Sequence, residues 1–190
     1  NGLALLDPKL TVGQFLMWWQ ENILNPDDER KDRTKKDYRS ILKWHLIPHL
    51  GKERLGSLND KPIRLMLKKL QDQGLASRRR QYVHAVLRIA LGDAEREGLV
   101  HRNIAKLITV KSSKKVEVNP YTPEEAAVLL KAAEPERLGA VIRTAITTGM
   151  RQSEILALQW DAVDIDSEYP KVHIRRSLVI KASVLDYPDD

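Results

Sequence analysis

Apolar residues recur at helical spacing in four segments of the first half of the chain, and each segment follows a residue that can cap a helix. The predicted capping residues are Thr11, Thr34, Asn59 and Ser77. Stop signals lie at about Asn25, at Pro48 with Gly51, at Gly74 and at Gly98. Because each apolar stripe needs a partner to cover it, the pattern predicts a compact helical bundle.

The second half continues with predicted helices, and then the spacing of its apolar residues changes from helical to partly alternating. Residues 122–125 read Thr-Pro-Glu-Glu, a capping box with proline at the first helical position, so a helix to about residue 134 is predicted. Two further helices are predicted at about 136–148 and 152–158. Residues 171–180 are rich in β-branched side chains that partly alternate, which predicts a strand.

A boundary between the two halves is indicated by the charge and by the intervening segment. Residues 111–120 are polar, basic and without helical period, as is typical of an interdomain linker. The formal net charge is +6, and residues 11–107 carry +8 whereas residues 120–190 carry −4. This asymmetry favours a polyanion as partner of the first half, with a solvated lysine-rich surface as the alternative.

Composition narrows the remaining classes of protein. The 190 residues include no cysteine, which excludes a disulfide scaffold, a thiolate zinc site and a thiol nucleophile. No apolar run approaches the roughly 20 residues that span a bilayer, and no signal peptide opens the chain, so we expect a soluble intracellular protein. Because the chain starts at Asn1 and lacks a closing helix, we also expect a fragment of a longer protein.

Residues 148–164 contain the most informative candidate chemistry. Gly149 ends one predicted helix and Arg151 directly precedes the next, so its guanidinium stands at a turn beside a helix N-terminus. Backbone N–H groups at such a point favour an anion, and arginine offers two parallel donors that match phosphate oxygens. Glu154 can orient that guanidinium, and a plain surface pair of Arg151 with Glu154 is the alternative.

Other common catalytic sets are absent from the sequence. There is no Gly-rich phosphate loop. His45 and His49 are four residues apart, but Pro48 lies between them and no glutamate follows the first, so contacts at a helix end are favoured over a zinc site. The residues therefore predict neither a metal nor a nucleotide cofactor.

The same 148–164 stretch resembles the first-arginine motif of the tyrosine recombinase (phage integrase) family. The matching residues are Thr148, Gly149, Met150, Arg151, Ser153, Glu154, Ile155, Leu158, Trp160 and Asp164. Residues 121–125 resemble the opening of the family's catalytic domain, and residues 34–51 and 77–87 resemble its core-binding domain. The resemblance extends over nearly the whole chain.

This resemblance implies a mainly α fold, in which a helical-bundle core-binding domain precedes a partial mixed α/β catalytic domain with a small antiparallel sheet. The implied limits are 1–107 for the DNA-binding core-binding domain, 108–119 for a basic linker and 120–190 for the N-terminal part of the catalytic domain. The implied reaction is site-specific DNA recombination through a 3′-phosphotyrosine, without a cofactor. The implied partners are duplex DNA and other protomers, as a tetramer on DNA in the cytoplasm of a bacterial host.

Only Arg151 of the family's catalytic set maps securely onto this chain, as a ligand of the scissile phosphate, with Glu154 as its support. Tyr187 lacks the family's tyrosine context and Lys181 lacks the family's lysine run. We therefore expect this chain to bind DNA without cleaving it. A non-catalytic DNA-binding or regulatory protein of the same architecture is the main alternative, and a helical interaction module is a third.

Basic clusters supply the expected DNA contacts, because cations on phosphates dominate affinity for nucleic acid. The candidates are Arg33, Thr34, Lys35 and Lys36 at the second helix, Arg78, Arg79 and Arg80 at the fourth, and Lys111, Lys114 and Lys115 on the linker. Adjacent arginines cannot all face one way on a helix, so about two of the three at 78–80 are expected to reach DNA. Trp44 and Tyr82 are expected to pack at the core or its rim, with contact to DNA as the alternative, and Trp160 is expected to pack against the sheet.

Overall fold

The chain divides into two compact units, Asn1–Val116 and Glu117–Asp190, called here the helical unit and the second unit. The structure is a computed structural model that describes residues 9–111 and 119–178. The division falls within the segment 108–119 that the sequence indicates as a linker. No helix among the described residues is long and apolar enough to cross a membrane.

The first helix starts at a capping box, as the sequence predicts from Thr11. Helix α1 covers Val12–Trp19 and continues as a π-helical turn over Gln20–Leu24. The Thr11 hydroxyl accepts from the Gln14 backbone N–H at 3.2 Å, and the Thr11 N–H donates to Gln14 Oε1 at 3.0 Å. Two of the N–H groups that a helix start leaves unpaired are thereby satisfied.

The second helix begins before its predicted cap and continues through Pro48. Helix α2 covers Asp32–Ile41, so it begins ahead of Thr34, and the Lys31 carbonyl accepts from the Thr34 N–H at 2.8 Å. A π-helical turn over Leu42–Leu46 then leads into the short helix α3, Ile47–Leu50, which includes Pro48. Because the wider turn relieves the clash of the proline ring with the preceding carbonyls, the helical path continues through Pro48 and ends at Gly51, the second residue of the predicted stop signal.

Two longer helices complete the bundle. Helix α4 covers Asp60–Asp72 with Asn59 as its side-chain cap, and helix α5 covers Ser77–Arg96. The cap of α5 is Ala76, which corrects the prediction that Ser77 holds this position. Gly74 and Gly98 follow α4 and α5 at φ values of 82° and 72°, where a side chain is disfavoured.

The core of the helical unit comes from the stripes that the sequence indicates. Fully buried side chains from α1, α2, α4 and α5 meet in one cluster with leucines of the π-helical turns, of α3 and of the 3₁₀ turn that follows it. The largest of them include Trp19, Phe15, Leu16, Ile41, Leu46, Ile63 and Met66. Ile108 is also buried there, so the chain leaves the bundle only after packing on it.

The second unit is smaller and more open. Helix α6 covers Pro123–Ala133, α7 covers Gly139–Thr148 and α8 covers Gln152–Ile155. Thr122 and Glu125 form the predicted capping box. Helix α7 begins later than predicted because a turn precedes it, and a Cβ on Gly139 would lie 2.2 Å from the Ala133 carbonyl oxygen.

The sheet of the second unit is short. Strand β1, Val163–Asp164, pairs in antiparallel fashion with β2, Lys171–Val172, and a 3₁₀ turn over Trp160–Ala162 precedes β1. Of the described part of the predicted strand at 171–180, only Lys171–Val172 pairs as a strand, while the His173 N–H donates to the Ala162 carbonyl and the Leu178 N–H to the Ser153 carbonyl, each at 2.8 Å. Trp160 is 85% exposed, so the expectation that it packs against the sheet is wrong.

Candidate nucleic-acid interface

The first turn of α2 presents part of the basic cluster that the sequence predicts. Arg33 and Lys36 are exposed, and Thr34 is half-buried at the third helical position. Cationic side chains on the outside of a helix are free to contact phosphates. Arg33 and Lys36 therefore remain candidates for DNA contact.

The prediction that Lys35 contacts DNA must be corrected. Its side chain is 6% exposed, and its ammonium donates to the backbone carbonyl of Asn25 at 2.8 Å. This bond fastens the end of the first helix to the start of α2, so the charge serves the fold and is not presented to a ligand. Residues that are adjacent on a helix point in different directions, which explains why Lys35 and Lys36 have different environments.

The three arginines at the start of α5 also separate. Arg78 is exposed, and Arg79 is half-buried with its guanidinium carbon 5.7 Å from the centroid of the Tyr82 ring. Arg80 instead donates to the Leu75 carbonyl at 3.1 Å and to Gln71 Oε1 at 2.7 Å, which ties α5 to the end of α4. Arg78 and Arg79 are thus the pair best placed to contact DNA.

The start of the predicted linker is fixed on α5. The Gln81 side-chain amide donates to the Val110 carbonyl at 3.2 Å, and His84 Nε2 lies 3.0 Å from the Ala105 carbonyl oxygen. Lys111 follows directly and is exposed. Lys114 and Lys115, like Lys181 and Tyr187 near the C-terminus, lie outside the described residues.

Exposed Trp44 was not expected from the sequence. Its side chain is 63% exposed, and the Lys43 ammonium lies 4.9 Å from the centroid of its ring. This exposure contradicts the expected core packing and leaves the contact with DNA as a prediction. Trp44 lies within the π-helical turn, between Leu42 and Leu46, which are both buried.

In the second unit, Arg151 stands at a sharp corner between α7 and α8. Gly149 adopts the left-handed conformation at φ 68°, and its N–H donates to the Ala145 carbonyl at 3.0 Å, which ends α7. Met150, which follows Gly149, is buried at 8% exposure. Arg151 is extended at φ −69° and ψ 148°, so its side chain leaves the helical path.

Glu154 orients the Arg151 side chain by hydrogen bonding. Arg151 N donates to Glu154 Oε2 at 2.9 Å and Nη1 donates to Oε1 at 3.0 Å. The backbone N–H of Arg151, followed by its guanidinium, lowers the pKa of the Glu154 carboxyl, so Glu154 is ionised at neutral pH. The Arg151 side chain remains 83% exposed while that of Glu154 is 13% exposed. The corner therefore fixes one guanidinium and leaves it accessible to an anion.

One further pattern was missed in the sequence. Residues 173–176 have the spacing H-x-x-R, and they directly follow β2, where the His173 N–H donates to the Ala162 carbonyl at 2.8 Å. Arg175 Nη1 lies 3.6 Å from Asp161 Oδ2, and Arg176 donates to Gln159 Oε1. Both guanidinium groups are paired within the second unit, so this pattern adds no free cation to the corner.

No group of three or more metal-ligating side chains occurs within residues 9–111 and 119–178. Burial lowers the pKa of His45, and the neighbouring Arg79 and His49 lower it further. The effect of Arg79 on His45 shows that the two side chains are neighbours. It also places the charge of Arg79 next to the π-helical turn.

Comparison with known proteins gives relatives by sequence and by fold. The chain is 31% identical over 152 residues to an integrase of Saccharopolyspora erythraea, which covers 79% of this chain and 34% of that protein. It is 24% identical to a XerC-like tyrosine recombinase of Caldanaerobacter subterraneus subsp. tengcongensis, over 98% of this chain and 48% of that protein. No family model matches the chain.

The fold matches solved integrases. A lambda integrase tetramer bound to a Holliday junction superposes with a TM-score of 0.70 at 22% identity, over 84% of this chain and 47% of that chain. The helical bundle and the mixed second unit thus form the fold of an integrase core-binding domain and the start of its catalytic domain. By sequence, the chain is a homologue of the integrases of the tyrosine recombinase family. It spans about a third to a half of the length of the curated relatives it matches.

Proposed function

We propose that this chain is the DNA-binding and phosphate-positioning part of a tyrosine-type site-specific recombinase. In that reaction a tyrosine oxygen attacks the scissile phosphorus, and the bond from phosphorus to the 5′-oxygen breaks. The 5′-oxygen leaves as a free hydroxyl after it takes up a proton, and the 3′-phosphate remains on the tyrosine. The chain alone binds DNA and does not cleave it, because the nucleophile is not among the residues that match the family.

The single observation that carries the proposal is the geometry at Arg151. Its side chain is 83% exposed, while Glu154 accepts one hydrogen bond from the Arg151 guanidinium and one from the Arg151 backbone N–H. A fixed donor binds the non-bridging oxygens of a phosphate and stabilises the extra charge of the pentacoordinate transition state without reorganising. Arg151 is therefore the proposed catalytic residue and Glu154 is its positioning residue.

The helical unit supplies the proposed affinity for duplex DNA. Exposed Arg33, Lys36, Arg78 and Lys111, together with half-buried Arg79, form its proposed phosphate contacts. Lys114 and Lys115 are proposed to continue these contacts along the linker. Each cation that neutralises a phosphate releases counterions, so binding of this kind must weaken steeply with salt.

The proposed partners are duplex DNA and further protomers of the same protein. Strand exchange needs several active sites, so the full-length protein is proposed to act as a tetramer on DNA. The lambda integrase match is itself a tetramer bound to a Holliday junction. The reaction is proposed to need neither metal nor nucleotide and to take place on DNA in the bacterial cytoplasm.

The experiment uses the full-length protein that contains this chain. It is mixed with fragmented DNA of its own source genome, quenched in detergent, and examined by mass spectrometry for tyrosine peptides bound to DNA. We expect such adducts from the unaltered protein and a fall of about 10²- to 10³-fold in their rate of formation for Arg151→Ala. Arg175→Ala is the matched control, because Arg175 is a paired arginine of the same unit.

The outcomes separate the proposed function from its main alternative. Adducts that persist in Arg151→Ala would remove the proposed role of Arg151. Salt-dependent binding without adducts would favour a non-catalytic DNA-binding or regulatory protein. Absence of both would leave the helical interaction module as the function.

A further inference from the structure

Two guanidinium groups and two tyrosine rings form a continuous series of contacts between the core and the surface of the helical unit. The guanidinium carbon of Arg30 lies 5.0 Å from the centroid of the Tyr38 ring. The rings of Tyr38 and Tyr82 meet edge to face, with centroids 6.0 Å apart and planes at 67°. The guanidinium carbon of Arg79 lies 5.7 Å from the centroid of the Tyr82 ring. We call these four residues the Arg30–Arg79 stack.

The stack joins the two helices whose first turns hold the proposed phosphate contacts. Tyr38 is on α2, and Arg79 and Tyr82 are on α5 at the i, i+3 spacing that places side chains on one face. Tyr38 is 8% exposed and its ring lies 6.5 Å from that of buried Trp19. The stack therefore begins at the core and ends at the half-buried Arg79.

The two arginines of the stack have different roles. Arg30 Nε donates to Asp27 Oδ2 at 3.0 Å, and the Arg30 backbone N–H donates to Asp27 Oδ1 at 3.1 Å. Its Nη1 is buried without a hydrogen-bond partner in the described structure, and the Tyr38 ring beside it supplies the compensating attraction. Arg30 is thus committed to the fold.

Arg79 is available to a ligand. Within the described residues it makes no hydrogen bond or ion pair, and its contact is with the Tyr82 face. The positive charge of Arg79 also lowers the pKa of the neighbouring His45, and a histidine cannot neutralise that charge. A half-buried guanidinium that rests on an aromatic ring and lacks an acidic partner has part of its conformational freedom removed before any ligand arrives.

We propose that Tyr82 is a positioning residue for DNA binding, which holds the Arg79 guanidinium toward a backbone phosphate and sets the first turn of α5 against α2 through Tyr38. The inference rests on the proposed function, because it assumes that the helical unit binds duplex DNA. A preordered arginine binds more tightly since it loses less side-chain entropy on binding.

A double-mutant cycle tests this role on the full 190-residue chain by fluorescence anisotropy with a short generic duplex. Tyr82→Leu is expected to weaken binding by about two- to fivefold, which corresponds to the 0.5–1 kcal/mol of an exposed cation–π contact. Tyr82→Phe keeps the ring and is expected to bind like the unaltered chain. In an Arg79→Ala background, Tyr82→Leu is expected to have no further effect.

Arg79→Lys provides a second variant that does not disturb the packing of Tyr82. Lysine keeps the charge without the planar group that stacks, so the dependence on salt is expected to persist while the affinity falls as in Tyr82→Leu. Thermal unfolding of each variant reports any loss of fold.

Each result supports or overturns the inference. Full additivity of Tyr82→Leu and Arg79→Ala would show that Tyr82 acts only through the fold, and unaltered binding of Arg79→Lys would show that stacking is not needed. Both results overturn the inference while the proposed function stands. Failure of the unaltered chain to bind the duplex at low salt would instead contradict the proposed function itself.

Discussion

The indole N–H of Trp19 donates to Asp93 Oδ2 at 2.6 Å and thereby joins α1 to α5 inside the bundle. Asp93 is 5% exposed, and its other oxygen accepts from Arg96. A buried carboxylate is tolerated because donors from two sides satisfy it. The bond fixes the long helix that holds the proposed DNA contacts against the first helix of the chain.

Replacing Trp19 is therefore expected to destabilise the helical unit. Trp19→Phe removes the donor and leaves Asp93 short of one hydrogen bond, which we expect to lower the free energy of unfolding by about 1–3 kcal/mol. Urea denaturation followed by circular dichroism measures it. Trp18→Phe is the matched control, because Trp18 is a half-buried neighbour on the same helix, and an equal loss in both variants would contradict the role of the bond.

The stability of the helical unit should depend on pH through His84. Burial lowers the pKa of His84, the Ala105 carbonyl raises it and Arg88 lowers it, with burial the largest effect. The unfolded chain therefore takes up a proton near the ordinary histidine pKa of about 6.5, where the folded chain does not. Stability should be complete above that pH and decline as the pH falls toward the lower pKa of the folded state.

His84→Asn isolates this contribution. Asparagine does not titrate, so the difference in unfolding free energy between the unaltered chain and the variant should shrink as the pH falls from 7 to 5. The measurement is a series of urea denaturation curves at fixed temperature. A difference that stays constant with pH would mean that His84 does not carry the effect.

Lys35 and Lys36 are adjacent in sequence, but replacing each by alanine should change a different property of the chain. Lys36→Ala is expected to reduce the salt dependence of DNA binding by about one unit of slope and to leave the fold intact, because Lys36 is exposed. Lys35→Ala removes the bond to the Asn25 carbonyl, so it should lower the melting temperature instead. Equal salt slopes in the two variants would contradict this division of roles.

Glu154 should act on catalysis through Arg151. In the full-length protein, Glu154→Ala removes the hydrogen bond that orients the Arg151 guanidinium and the one that Glu154 accepts from the Arg151 backbone N–H. We expect slower formation of the DNA adduct than in the unaltered protein, but a smaller loss than the roughly 10²- to 10³-fold expected for Arg151→Ala. Affinity for the duplex should not change. A fall in affinity equal to the fall in rate would point to loss of fold in the second unit.

Much of the helical unit could be predicted because its helices follow local rules. The stripe that buries Phe15 and Trp19, the Asn59 cap and the stop at Gly98 all depend on residues close together in the chain. The path of the helix through Pro48 could not be predicted, because a π-helical turn is a rare accommodation that no short pattern specifies.

The candidate site could be predicted only in part, because some of its contacts join segments that are far apart in the sequence. The Arg151 corner was indicated by a glycine and an arginine that are two residues apart. Contacts such as Tyr38 with Tyr82 join distant segments, and the burial of Lys35 depends on where Asn25 lies. The i, i+3 spacing of Arg79 and Tyr82 was the one signal in the sequence that could have revealed their contact.

The central claim is that the helical unit binds duplex DNA through exposed cations at the starts of α2 and α5. The most direct measurement is the affinity of the 190-residue chain for a short generic duplex at about 50 and 200 mM salt, where we predict a fall of at least about a hundredfold. Replacing both Arg78 and Arg79 by alanine should weaken binding and reduce the salt slope by about two. Arg102→Ala, beyond the far end of the roughly 30 Å helix α5, should change neither. Absence of binding at low salt, or binding that neither salt nor the two arginines affect, would contradict the account.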